Sequence, residues 1–198
     1  MTTYIPSLTL PDIVFKHPAA AVLLPIAAGT AIGFSTRPKE TQQTYLALRQ
    51  PPLRPPPQVF GPVWTALYGA MGYAAYRAYT TGLHSVDGSK LALAQHGATL
   101  YTLQLGLNLI WMPLFFTFKR PIEATVDIVA LTGIVGYMTY IWGQVDEVAG
   151  YALVPYLGWL GFATYLSAGT GYLNGWDFGG KERGIGGGGD TKFTNEKP

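Results

Sequence analysis

The chain contains no cysteine, which excludes a disulfide framework, a thiolate metal site and a cysteine nucleophile. Its three histidines, His17, His84 and His96, stand far apart. No two-histidine ligand pair and no nucleophile–base constellation is legible. Charge is scarce as well. Asp, Glu, Lys and Arg make up 12 % of 198 residues, about half the roughly 25 % of a soluble domain. Net charge is +2, and no basic stripe is interleaved with aromatics, so nucleic acid is not an expected partner. The first residues lack the charged n-region and small-residue cleavage site of a secretory signal, and are not Arg-rich like a transit peptide. The first apolar span is therefore expected to do the targeting and to remain in the product.

What the chain has instead is apolar length. Apolar residues are 48 % and aromatics 14 % of the sequence. From residue 91 to 173 the only charges are Lys119, Arg120, Glu123, Asp127, Asp146 and Glu147, in two clusters. They divide the stretch into three blocks long enough to cross a ~30 Å hydrocarbon core. With two shorter blocks upstream, five spans are expected, at 19–35, 62–80, 91–118, 122–145 and 149–173. Only helices and closed barrels satisfy their backbone in lipid, and blocks this long without period-2 alternation choose helices. The expected fold class is all-α, a membrane bundle of five transmembrane helices.

Three regions follow from this reading: an N-terminal segment (1–18), the transmembrane domain (19–174) and a C-terminal tail (175–198). The tail mixes charge with Gly179, Gly180 and the run 186–189, and is expected to be disordered. Between the first two spans lies a loop, 36–61, with Pro38, Pro51, Pro52, Pro55, Pro56 and Pro57. Consecutive prolines fix φ and remove donors, so an extended, semi-rigid loop is expected. That loop, the Lys119–Arg120 turn and the tail share one side, with four, two and four basic residues, ten in all. The other side has Lys16 and Lys90, and Arg77 lies inside the end of the second span. By the positive-inside rule the long loop and the C-terminus face the cytosol.

The spans carry their own signals. Gly29 and Gly33, the stripe Ala66, Ala70 and Ala74, and the pair Gly158 and Gly161 suit close helix packing, within one chain or across a homodimer face. In the third span Tyr101, Gln104, Asn108, Trp111 and Phe115 are spaced 3, 4, 3 and 4 and form one stripe. Its two amides must face protein, water or a ligand, because unpaired burial costs about 1–3 kcal/mol each. They serve either as glue between helices or as a ligand contact. Pro113 and Pro155 each free a carbonyl and suggest kinks. Asp127, roughly two turns into the fourth span, faces the bundle interior or a wet vestibule, paired with Lys119 or Arg120 or touching a ligand. Trp176 reads as an interfacial belt residue. Trp64, Tyr68, Trp111, Trp142 and Trp159 are either belt residues or the lining of an aromatic cavity for a flat, apolar ligand.

Three blocks resemble the TspO/translocator protein family, also called peripheral benzodiazepine receptors. They are the run from Pro51 through Phe60-Gly-Pro-Val-Trp64 to Tyr73, the run from Leu100 through Gln104, Asn108 and Trp111 to Phe116, and the run from Pro155 through Trp159 to Thr164, which contains Ala163. With Tyr45, Asp127 and Trp142, the likeness covers about residues 20 to 174. It implies a five-helix bundle with a pocket near the long loop, lidded by that loop, and ligands of the porphyrin, cholesterol, benzodiazepine and isoquinoline types. Trp64, Trp111, Trp142, Trp159 and Asn108 match family positions near that pocket, and Ala163 joins the candidate set. Eukaryotic members sit in the outer mitochondrial membrane, or in secretory membranes in plants, with a cytosolic C-terminus.

Leu53 stands where the family often has Trp. Ser167 replaces a common Asn. The family's proposed sterol pattern finds Leu166 and Tyr172 here, but the next base, Lys181, comes nine residues later. The expectation is a membrane receptor or carrier for porphyrins and more weakly for sterols, with haem or protoporphyrin as ligand and no required cofactor. The alternatives are a light- or oxygen-dependent porphyrin-degrading enzyme using Trp64 and Trp142, and a membrane scaffold or assembly protein.

Overall fold

Five long helices run back and forth, with two short helices joined to the first. The structure, a computed structural model, describes residues 3–36 and 38–178. Among them no strand forms. The long helices are α2 (Pro18–Ser35), α4 (Phe60–Leu83), α5 (Gly88–Met112), α6 (Pro121–Val145) and α7 (Glu147–Leu173). Each lies close to an expected span. Three have both the length and the hydropathy to cross a membrane unaided: α2, α5 with its C-terminal extension, and α6. α4 and α7 dilute their hydropathy with Gly, Tyr and Thr but are just as long, at 24 and 27 residues.

Local chemistry sets the boundaries. Pro18 and Pro121 occupy first-turn positions, where a missing N–H costs nothing. Asp87 caps α5 by accepting from the Ser89 N–H (2.8 Å), and Asp146 caps α7 by accepting from the Ala149 N–H (3.0 Å). Pro113, a proposed kink, instead converts the end of α5 into a π-helical turn, Pro113–Thr117. The ring has no N–H to give, and the ladder widens, with the Phe118 N–H donating to the Pro113 carbonyl (2.8 Å).

α6 packs most extensively on α7 and α5, while α4 is gripped by α2, α7 and α5. The tightest seam is α2 on α4. A methyl group at Gly72 would run into the backbone of Ala21 and Val22. Gly29 faces the Tyr68 ring, whereas Gly33, Gly158 and Gly161 meet nothing within 4 Å. The expected close packing therefore holds for one glycine of the first-span pair and for neither of the fifth-span pair.

Two expectations need correcting, and the N-terminal segment gains a place. The proline loop is not extended throughout: it begins with α3 (Pro38–Ala47). Pro38 starts that helix, and no further proline interrupts it before Pro51, so the extended stretch is confined to the residues around the 51–57 prolines. The N-terminal segment packs onto the bundle. Phe15, in α1 (Asp12–Lys16), is fully buried among core residues, with its ring 5.0 Å from Tyr79 and 5.7 Å from Tyr101. Ahead of it, the Ile5 and Leu10 N–H groups donate to Thr99 and Thr102 of α5 (3.2 and 3.0 Å), and Tyr79 donates to Asp12 (2.8 Å). Finally, the tail does not start at 175. Residues 175–178 fold back on the bundle and bury Phe178. Residues 179–198 of the expected tail lie outside the described residues.

Candidate functional site

A cavity of about 560 Å³ lies at the end of the bundle covered by α3 and the proline loop. Its walls come from α2 (Gly29, Ile32, Phe34), α3 (Thr41, Gln42, Tyr45), α4 (Phe60, Trp64, Tyr68), α5 and its π turn (Asn108, Trp111, Phe115), α6 (Ile128, Leu131) and α7 (Trp159, Ala163, Leu166). Among the described residues no Asp, Glu, Lys, Arg or His lines it. The rings form linked pairs: Trp64 with Tyr68 (5.6 Å), Phe60 with Trp159 (5.9 Å), and Trp111 stacked on Phe115 (5.0 Å). The indole N–H groups of Trp111 and Trp159 have no partner among the described residues.

A chain of side chains closes the floor. Tyr68 donates to Asn108 Oδ1 (2.7 Å), Asn108 Nδ2 donates to Tyr156 (2.9 Å), and Tyr156 donates to Gln104 Oε1 (2.8 Å). Gln104 Nε2 ends it on the Met71 sulfur (3.7 Å). Both amides of the α5 stripe are thus glue, and one of them is also wall. Asn108 reaches the cavity, whereas Gln104 is fully buried behind Tyr156. Tyr156 was not foreseen, because a lone tyrosine beside Pro155 gives no periodic signal.

Of the expected set, Trp64, Tyr68, Asn108, Trp111, Phe115, Trp159 and Ala163 come together on the cavity. Tyr101, Gln104, Trp142 and Asp127 do not. Trp142 is fully buried elsewhere, stacked on Tyr101 (5.9 Å), with its N–H donating to the Ala94 carbonyl (3.4 Å). Gly97 makes room for it, since a Cβ there would overlap the indole. That indole packs α6 on α5 rather than facing the cavity. Asp127 is buried with Oδ2 unpartnered among the described residues. Neither expected basic partner is recorded for it, and Arg120 reaches Glu123 instead (3.5 Å). The α2 and α6 walls were missed because those helices are apolar on every side and offer no period to read.

The lid is fastened at its base. Asn174, just past α7, accepts from the Arg49 N–H (3.1 Å) and donates to the Arg49 carbonyl (2.7 Å). Tyr165 donates to the Pro52 carbonyl (3.1 Å), and Tyr45 to that of Pro55 (2.8 Å). Burial pushes the Tyr45 hydroxyl pKa up, against an opposing pull from the Arg54 guanidinium. Replacing Asn174 with alanine is expected to free the lid base, seen as faster hydrogen exchange over residues 48–53 and unchanged exchange in α6. Equal exchange in both would show that the clasp holds nothing.

Residues 21–173 match the TspO/MBR family. The chain belongs to that family. It is 39 % identical over 155 residues to a translocator protein homolog of Schizosaccharomyces pombe, spanning 78 % of this chain and 90 % of that protein. It is 35 % identical to the translocator protein of Homo sapiens over 150 residues, 76 % of this chain and 86 % of the human one. It is 36 % identical to the tryptophan-rich protein TspO of Archaeoglobus fulgidus over 155 residues, 78 % and 95 % of the two chains. Membership makes the chain an integral, multi-pass membrane protein in contact with lipid. The N-terminal strap and Phe178 fall outside the matched region.

Among the described residues no cluster of His, Asp or Glu is arranged to hold a metal ion.

Proposed function

We propose that this TspO/MBR protein binds a flat, largely apolar tetrapyrrole in the lidded cavity, as a membrane receptor or carrier. The observation that carries the reading is an aromatic cavity of about 560 Å³ with no charged lining residue among the described ones. A porphyrin ring would stack on its rings, with its acidic substituents kept at the lid side beside Gln42 and Gln50. Burying those carboxylates in the uncharged interior would cost several kcal/mol.

Protoporphyrin should quench the intrinsic fluorescence of the protein in nanodiscs saturably. Trp111→Ala or Trp159→Ala should weaken binding by about 1–3 kcal/mol, the loss expected of a stacking wall. Trp142→Phe and Trp176→Phe should leave affinity unchanged, since neither residue lines the cavity. Equal affinity in all four variants would remove the cavity from consideration. Oxidative degradation through Trp64 and Trp142 gains no support, because only the first of these reaches the cavity.

Sterol binding is expected to be weak. Leu166 points into the cavity, while Tyr172 stands 76 % exposed on the outer surface. The two halves of the proposed sterol pattern therefore face different surroundings. Titration with a photoreactive sterol beside protoporphyrin tests this, and tight saturable labelling would refute it.

The charge distribution supports placing the lid and the C-terminus in the cytosol, and the family resemblance favours the outer mitochondrial membrane, with a secretory membrane as the alternative. Tags at Pro198 and within residues 41–50 should then be cleaved together in sealed organelles while a tag at Met1 is protected. The reverse pattern would invert the assignment.

A further inference from the structure

Phe178 lies five residues beyond the family match, yet it is only 6 % exposed. Two consecutive residues in left-handed conformation, Gly175 (φ 65°) and Trp176 (φ 59°), reverse the chain after α7. The Trp176 N–H donates back to the Gly171 carbonyl (2.7 Å) and fixes the reversal. Gly171 is required there, since a Cβ would meet the Trp176 ring. The turn carries Phe178 edge-on to Phe115 (5.0 Å). There it shares a small apolar cluster with Ala124 of α6 and is bordered by Leu48 of the lid and by Trp111.

Phe115 is the ring on which Trp111 stacks, and both line the cavity. Phe115 sits in the π turn, where α5 has given up regular α-helical bonding, and Trp111 lies in the last turn of α5 just ahead of it, so the backbone alone defines the Phe115 ring less firmly than a regular helix would. From this arrangement we infer that Phe178 is a positioning residue: it braces Phe115 from behind, holds the Trp111–Phe115 stack in place as a cavity wall, and thereby sets how tightly a flat aromatic ligand is retained. The inference rests on the cavity being the ligand site. It adds that this chain recruits a side chain from outside the matched region to shape that site.

The experiment uses the full chain in nanodiscs, labelled with fluorotryptophan, with protoporphyrin as the probe. The five tryptophans give separate fluorine NMR lines, and Trp111→Phe identifies the Trp111 line by its loss. Phe178→Ala should shift or broaden the Trp111 line and leave the Trp142 line, in a separate part of the core, where it is. The same variant should weaken protoporphyrin binding about tenfold, mainly through faster release. Phe178→Leu, which keeps apolar bulk against Phe115, should restore most of both readouts. Phe118→Ala, at a neighbouring but 62 % exposed ring, should change neither. General destabilisation would disturb the Trp142 line too and would not be rescued selectively. An unmoved Trp111 line, or an unchanged affinity in Phe178→Ala, overturns the inference. Absence of saturable protoporphyrin binding to the unaltered protein would instead sink the tetrapyrrole reading, and the bracing of Trp111 would then be decided by the fluorine line alone.

Discussion

Asp146→Ala is expected to cost the folded bundle about 2–3 kcal/mol, because one carboxylate ties three elements together. Its Oδ2 accepts from Arg77 Nη2 (2.8 Å) and from the Thr81 hydroxyl (2.9 Å), both on α4, while Oδ1 caps α7. The Asp146 side chain is 6 % exposed and that of Arg77 36 %. Deletion would therefore leave a half-buried guanidinium without its partner and an uncapped helix. Asp146→Asn, which keeps a capping oxygen, should recover about 1 kcal/mol of the loss. Burial alone would raise the pKa of this carboxyl, but hydrogen bonds from Arg77, the Ala149 N–H and Thr81 outweigh it and hold the pKa below the usual 3.8. A carboxyl with a depressed folded pKa adds stability above its unfolded value and loses it as pH falls through the folded one. Thermal unfolding in detergent should therefore show the wild-type advantage over Asp146→Asn at neutral pH and its loss below about pH 4. An advantage that persisted in acid would mean that the ion pair contributes nothing.

The second large effect lies at the α2–α4 seam. Gly72→Ala should destabilise by about 3 kcal/mol, the upper end for overpacking. The added methyl would meet Ala21 C and Val22 Cα at 2.8 Å, and these are backbone atoms that no rotamer change can move aside. Gly158→Ala on α7 is the control. Nothing lies within 4 Å of the new carbon, so helix propensity alone should act and stabilise by up to ~1 kcal/mol. Equal melting temperatures for the two variants would refute the close approach drawn between α2 and α4.

How much of this was legible depended on the kind of signal. The long helices were, because charge clusters such as Lys119–Arg120 and Asp146–Glu147 mark their ends and lipid permits little else between them. The α5 stripe was legible too, since a 3–4 spacing puts Asn108, Trp111 and Phe115 on one face whatever the rest of the fold does. Which aromatic faces the cavity was not. Trp142 and Trp159 look alike in sequence, and what separates them is a missing Cβ at Gly97, on another helix, that gives the Trp142 indole a place in the core. The lid helix was hidden by its own prolines. They dominate the composition of residues 36–61, yet all except Pro38 fall after α3 has ended. Phe178 was hidden by glycine, because a chain rich in it reads as unstructured even where Gly175 is the residue that allows the turn.

The strap formed by the first residues bears on the order in which the molecule is made. Thr9 shares its hydroxyl hydrogen bond with Thr99, 90 residues later, and Leu10 waits for Thr102. At roughly 5–20 residues per second, the ribosome needs on the order of ten seconds to supply those partners. Throughout that interval the N-terminal segment has no α5 to dock on, and Phe15 lacks the Tyr101 ring. The strap is thus among the last parts to be seated, and a bulky fusion ahead of it would act on a late step of assembly.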